Sequence, residues 1–186
     1  MTNLKELLES VKGITKENAN GKFCAIAKEL FSNYEIQKGD KHYDFLEIEF
    51  YYYSENHPDE NTYPREAKVG EWFTHLSGVD IAFDSDSMEY GGILVRSIVE
   101  HGKKDQPICG PLKTMIHLFN HIPSDSEISD KYPIIKRIEV SNDFHIDPTI
   151  RFNIKDIREY CFYNSDESIK WGNHPAKPSN RKIPKN

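Results

Sequence analysis

Residues 44–53 read Asp44-Phe45-Leu46-Glu47-Ile48-Glu49-Phe50-Tyr51-Tyr52-Tyr53, and this alternation is typical of a β-strand with two different faces. Every second residue, from Leu46 to Tyr52, is apolar and predicts contact with the core. The other face carries Glu47 and Glu49 roughly 7 Å apart, since a strand rises about 3.4 Å per residue, with Tyr51 beside them. Two interpretations are open here: carboxylates that activate a water next to a stacked planar ligand, or the solvated face of an antiparallel sheet.

The segments around this strand predict a mixed architecture. Helical spacing runs over residues 4–11, behind a capping box of Asn3 and Glu6, and again over residues 23–31. Further strands are expected at 72–83, with a bend or bulge at Ser77-Gly78, at 91–99 and at 148–154. A helix is expected to begin at Pro111. The pattern therefore predicts an α+β fold in which strands form the middle and helices pack outside.

Length and composition limit the domain organisation. The 186 residues suffice for one well-packed domain, which we assign to residues 1–165. Residues 166–186 contain prolines and basic residues and predict a C-terminal tail outside the core. There is no signal-peptide pattern and no apolar run long enough for a membrane span, so we expect a cytoplasmic monomer without membrane contact.

Neither a metal nor another cofactor is predicted. The three cysteines are widely spaced and form no CxxC pair, which argues against a disulfide framework and a zinc site. His117 and His121 have the four-residue spacing of metal ligands on a helix, but no acidic third ligand lies in that motif. The net charge of −6 argues against an extended nucleic-acid surface, although the tail is locally basic.

Arg96 is the one charged residue inside the apolar run 91–99. An unpaired buried charge costs on the order of several kcal/mol, so Arg96 is expected to pair with Glu47 or Glu49. The alternative is an edge strand from which Arg96 reaches water along its aliphatic stem.

A series of short motifs, taken in chain order, resembles the alkyladenine (3-methyladenine) DNA glycosylase family. The resemblance covers roughly residues 23–154. Its motifs are Ala27-Lys28-Glu29-Leu30-Phe31, Glu47-Ile48-Glu49-Phe50-Tyr51, Asp59 with Tyr63, Gly70 to Gly78, Gly92-Ile93-Leu94-Val95-Arg96, Gly110-Pro111-Leu112-Lys113 and Pro148-Thr149-Ile150-Arg151-Phe152. It implies one domain around an antiparallel, partly barrel-like sheet.

The resemblance also implies roles for individual residues. Glu49 falls on the base that activates water, and Tyr51 on the ring that stacks against a flipped base. Arg96 falls on the arginine that ends the apolar strand and completes the catalytic pair with Glu49. Tyr63 lies where the family has a histidine, and His75 lies where it has further aromatics. The expected catalytic residues are thus Glu49 and Arg96, and the expected substrate-binding residues are Tyr51, Tyr63, His75 and Glu47.

Three functions are compatible with these residues. The first is a monofunctional DNA glycosylase that excises a damaged purine from duplex or single-stranded DNA, with Glu49 activating a water for attack at C1′. Its expected phosphate contacts are Arg65, Lys113 and Lys170. The second is a catalytically degenerate nucleic-acid or nucleotide-binding module, which the acidic charge favours. The third, a glycosidase using Glu47 and Glu49, is disfavoured because positions two apart on one strand seldom flank a bond from opposite sides.

Overall fold

The computed structural model describes residues 3–120, 132–172 and 177–181. Its helices and strands are α1 (Leu4–Glu9), α2 (Ala19–Asn33), β1 (Tyr34–Lys38), β2 (Lys41–Tyr53), β3 (Trp72–His75), β4 (Gly78–Ala82), β5 (Tyr90–Glu100), β6 (Ile108–Cys109), α3 (Pro111–Phe119), β7 (Ile134–Arg137), β8 (Ile146–Thr149) and β9 (Cys161–Asn164), followed by a 3-10 turn (Pro178–Asn180).

The strands form one open, curled antiparallel sheet that has the shape of a half-barrel. Its main order is β3-β4-β5-β2-β1-β7, with β6 added to β5 and the β8-β9 hairpin attached to β2. The long strands β2 and β5 form its centre and pair over almost their full lengths. The expected α+β class with an antiparallel, partly barrel-like sheet is therefore confirmed.

The two N-terminal helices pack in the main core of the sheet. In α1 the Asn3 side chain accepts from the Glu6 amide at 2.9 Å, and the Glu6 carboxylate accepts from the Asn3 amide at 3.1 Å. This is the predicted capping box, which satisfies amides that have no partner within the helix. Phe23 of α2 stacks on Phe50 of β2 with 4.6 Å between ring centroids, which fixes α2 against the centre of the sheet.

The central strand changes face near Glu47. The pairing of β2 with β5 shifts register on both sides of Glu47, and the shifts leave Leu46 of β2 and Arg96 of β5 out of the pairing. Phe45 consequently joins the main core with Ile48, whereas Leu46 packs in a separate cluster on the opposite face. The expectation that Leu46 shares the face of Ile48 is wrong, because one extra residue reverses the alternation.

The segment 72–83 is a hairpin and not one bent strand. Its strands β3 and β4 pair antiparallel with His75 opposite Gly78, so Leu76 and Ser77 form the turn. Gly78 has φ of 154°, and a Cβ there would lie 2.9 Å from Pro111 Cβ. The glycine therefore ends the turn and lets the start of α3 pack close to it.

The C-terminal region contributes to the core. Ile169 and Trp171, which are 5% and 8% exposed, pack with Leu46 and Val99 in the second cluster. The expectation that residues beyond 166 lie outside the core is wrong for these two side chains.

The strand expected at 148–154 is displaced toward the N-terminus and spans Ile146–Thr149. Within the described ranges, no helix combines the length and apolar character that crossing a bilayer requires.

Candidate functional site

The guanidinium of Arg96 lies between the two carboxylates of β2. Its Nε donates to Glu47 Oε1 at 2.7 Å, and its Nη1 donates to Glu49 Oε2 at 3.3 Å. Arg96 is 5% exposed, Glu47 3% and Glu49 0%. The predicted pairing of Arg96 is confirmed. The solvated-face interpretation is wrong because both glutamates are buried, and the edge-strand interpretation is wrong because β5 lies between β4 and β2.

Glu49 is enclosed by four donors. Oε2 accepts from Arg96 and from the Tyr51 hydroxyl at 2.9 Å, while Oε1 accepts from the Phe152 amide at 2.7 Å and Arg181 Nη1 at 3.3 Å. Burial raises the pKa of the Glu49 carboxyl, and the Arg96 charge opposes that shift. Each oxygen already has two partners, so a water would have to replace one of them.

Arg181 is a second cation at the same carboxylates, and sequence reasoning did not predict it. Its Nη2 donates to Glu47, and its Nη1 lies 3.4 Å from Cys161 Sγ. Among the described residues, Glu47, Glu49 and Cys161 are a group whose potential metal-ligand atoms lie within 4.8 Å of one another. Two guanidinium groups already balance the two carboxylates, so the donor set fits a metal ion poorly.

A cavity of about 660 Å³ opens beside this cluster. Its wall includes most of the side chains predicted for the site, and Phe152 in addition: Tyr51, Tyr63, Arg65, His75, Arg96 and Phe152. Tyr63 and Phe152 keep 54% and 41% of their surfaces exposed, whereas Glu47 and Glu49 do not reach the wall. Tyr51 connects the two regions, since it lines the cavity and donates its hydroxyl to Glu49.

Arg65 and Asp80 form a buried pair in the cavity wall, and the partly buried His75 joins them. Arg65 Nη1 bonds to one oxygen of Asp80, and His75 Nε2 lies 3.0 Å from the other. The second ring nitrogen of His75 accepts from the Ser77 amide at 3.2 Å, which fixes the imidazole. Arg65, at 7% exposure, is thus a wall residue of the cavity, and a role in phosphate binding stays a prediction for it.

A second buried ion-pair network, centred on Arg151, packs against the ring of Tyr51. Arg151 lies 4.6 Å from the Tyr51 ring centroid and donates to Asp59 at 2.6 Å and 3.1 Å. Burial alone would raise the pKa of Asp59, but the hydrogen bonds and charge of Arg151 outweigh it and lower that pKa. For Asp156, the hydrogen bonds and charge of Arg158, with the charge of Arg151, likewise outweigh burial and lower the pKa to about 2. Asp59 and Arg151 each lie in one of the motifs named in the sequence analysis, but they are 92 residues apart in the chain, so the sequence did not predict that they pair.

The remaining predicted residues lie away from the cavity wall. Lys113, in the first turn of α3, and Lys170 are both exposed. His117 Nε2 lies 3.0 Å from the Tyr43 hydroxyl, and its predicted spacing partner His121 lies outside the described residues.

Comparison with known proteins gives no match: no family model matches this chain, and neither does any curated protein or solved structure.

Proposed function

We propose that the cavity binds a planar ring, such as the base of a nucleotide or of a nucleic acid. Its volume of about 660 Å³ lies in the usual range for ligand sites, roughly 300–1,000 Å³. Tyr63 and Phe152 offer exposed aromatic surface in its wall, on which a base of any identity can stack. This pairing of a cavity with exposed aromatic rings is the observation that carries the proposal.

Buried donors favour a ligand with hydrogen-bond acceptors at its ring edge. Arg65 and Arg96 both line the cavity, and arginine supplies only donors. Their charges are compensated by Asp80 on one side and by Glu47 with Glu49 on the other. The wall therefore offers fixed donors without a large excess of positive charge, which suits a neutral heterocycle better than a phosphate group.

Equilibrium binding tests this proposal. The probes are the deoxynucleoside monophosphates and a short single-stranded DNA, titrated against wild type and the Tyr63→Ala and Phe152→Ala variants. Stacking of a base is worth about 1–3 kcal/mol, so each variant should weaken binding by about fivefold or more. Tyr53→Ala is the matched control, because Tyr53 stacks on Tyr90 with 4.9 Å between centroids and does not line the cavity. Equal loss in all three variants would contradict the proposal.

A DNA glycosylase is the second candidate, and two observations favour it. The Tyr51 hydroxyl joins the cavity to Glu49, so a general base lies one side chain behind the wall. Leu76, at the tip of the β3–β4 turn between the wall residues His75 and Ser77, is 99% exposed. An apolar side chain in such a position can enter the base stack while a nucleotide is extruded.

The glycosylase mechanism would need one change at Glu49. One of its four donors has to leave so that a water can bind and lose its proton to Glu49. The water oxygen then forms a bond to the sugar C1′ while the C1′–N bond breaks and the base leaves with the bonding electrons. Excision from alkylated and deaminated DNA should then fall about 10²-fold or more in Glu49→Gln, since general-base catalysis contributes about 10²–10⁴. Glu47→Gln is the matched control: it removes a carboxylate of the same buried cluster that does not bond Tyr51. Equal activity in the two variants would remove Glu49 from the mechanism.

A further inference from the structure

Residues 177–181, here named the strap, place Arg181 on the buried carboxylate pair. The Arg181 side chain is 7% exposed. Its two terminal nitrogens divide between the carboxylates: Nη2 bonds to Glu47, and Nη1 bonds to Glu49 Oε1 at 3.3 Å. The hydroxyl of Thr149 donates to the Arg181 carbonyl at 3.2 Å and holds the strap backbone beside the cluster.

The surroundings of Arg181 suit a planar, delocalised cation. Besides the carboxylates, Cys161 Sγ lies 3.4 Å from Nη1, and the Phe152 ring centroid lies 5.1 Å from the guanidinium carbon. Two carboxylates match the fork of guanidinium donors, and an aromatic ring attracts the same cation. These side chains come from β2, β9 and the segment after β8, so the fold assembles the set independently of the strap.

Other cations fit the same position less well. An ammonium group is a compact point charge and cannot reproduce the planar fork that reaches both carboxylates. A divalent metal would lie beside Arg96, which already bonds to Glu47 and Glu49. Burial raises the pKa of the Cys161 thiol well above its usual value, with the charges of Glu47 and Glu49 adding to the shift, so the thiol is a poor metal ligand.

We propose that Glu47, Glu49, Cys161 and Phe152 form a guanidinium-binding site that the chain fills with its own Arg181. The strap is then an internal ligand of this site, and Arg181 covers the two carboxylates while it is bound. A guanidinium group from another source, such as an arginine side chain of a partner protein, would fit the same position only when Arg181 does not occupy it. Since Phe152 also lines the cavity, displacement of the strap would alter the cavity wall.

Chemical rescue of Arg181→Ala tests this site in the full-length chain. Loss of one partner from a buried ion pair should lower Tm by on the order of 10 °C. Millimolar methylguanidinium should restore Tm saturably, because a ligand that binds only the folded state stabilises it. Methylurea has nearly the same shape without the charge, and methylammonium has the charge without the planar fork, so neither should restore Tm. Wild type should show no saturable response, since Arg181 already occupies the site.

Removing one carboxylate ties the rescue to this site. In the double variant Glu47→Gln with Arg181→Ala, methylguanidinium should lose at least tenfold in apparent affinity, because one of its two carboxylate partners is gone. If Arg181→Ala does not fold alone, the same titration becomes a refolding experiment, in which methylguanidinium but not methylurea must raise the yield of folded protein. An unchanged Tm in Arg181→Ala, or equal rescue by methylurea, would overturn the proposal.

Discussion

Replacing Glu49 by glutamine should destabilise the fold strongly, although the two side chains have nearly the same shape. Glutamine supplies one acceptor oxygen and one NH₂ group, while the site presents four donors to Glu49. Tyr51 can turn its hydroxyl to accept, but neither Arg96 nor the Phe152 amide can. At least one donor therefore faces the NH₂ group, and two guanidinium groups keep only one carboxylate between them.

The expected cost follows from these losses. Breaking a buried ion pair by removing one partner costs about 3–5 kcal/mol. We expect a cost near the lower end of this range, because glutamine also removes a buried negative charge, and burial of that charge raises the pKa of the Glu49 carboxyl. For a chain of this length about 3 kcal/mol corresponds to a fall in Tm of roughly 6–12 °C. Urea unfolding followed by circular dichroism measures it. Glu60→Gln, which alters an exposed glutamate at the cavity, should stay within about 0.5 kcal/mol. A Glu49→Gln variant within about 1 kcal/mol of wild type would refute this account of the cluster.

Three further outcomes are expected. The pKa of Asp156 is lowered to about 2, so the stability that this carboxylate contributes is present above its ordinary pKa near 4 and is lost as the pH falls toward 2. In urea titrations, Asp156→Asn should therefore lose less stability than wild type between pH 5 and pH 2. Gly92→Ala should unfold at a lower temperature than wild type, because the added Cβ would lie 2.9 Å from the Ile81 carbonyl oxygen. Gly21→Ala in α2 is the control: its Cβ meets nothing within 4 Å, and it should stabilise the folded protein by about 0.5–1 kcal/mol. If the chain binds DNA, Lys113→Ala should reduce the slope of log K against log salt by about one without changing sequence preference.

Some of the site could be predicted from the sequence, because a buried charge requires a partner of opposite charge. Arg96 stands alone in an apolar strand, and the neighbouring strand offers carboxylates at the right parity, so the pairing followed from desolvation cost. The capped first helix and the helix starting at Pro111 also followed from local signals.

Other features depend on contacts between distant parts of the chain. Burial of Glu49 requires the Phe152 amide and Arg181, which lie 103 and 132 residues away, and no local sequence signal links either residue to Glu49. The reversal of faces at Leu46 results from two shifts in the pairing of β2 with β5, and the alternating sequence of β2 does not indicate them. In the same way, the sequence indicates a cation available for phosphate at Arg65, whereas in the structure Arg65 pairs with Asp80 in the cavity wall.

Intermolecular NOEs between a bound nucleotide and the aromatic side chains test the central claim most directly. With a deoxynucleoside monophosphate at saturating concentration, the account predicts NOEs from the base protons to the ring protons of Tyr63 and Phe152, which line the cavity. It predicts none to Tyr53, whose ring is stacked on Tyr90 and lies outside the cavity wall. Base contacts to Tyr53 in place of Tyr63 and Phe152, or no contact with any aromatic ring at saturation, would contradict it.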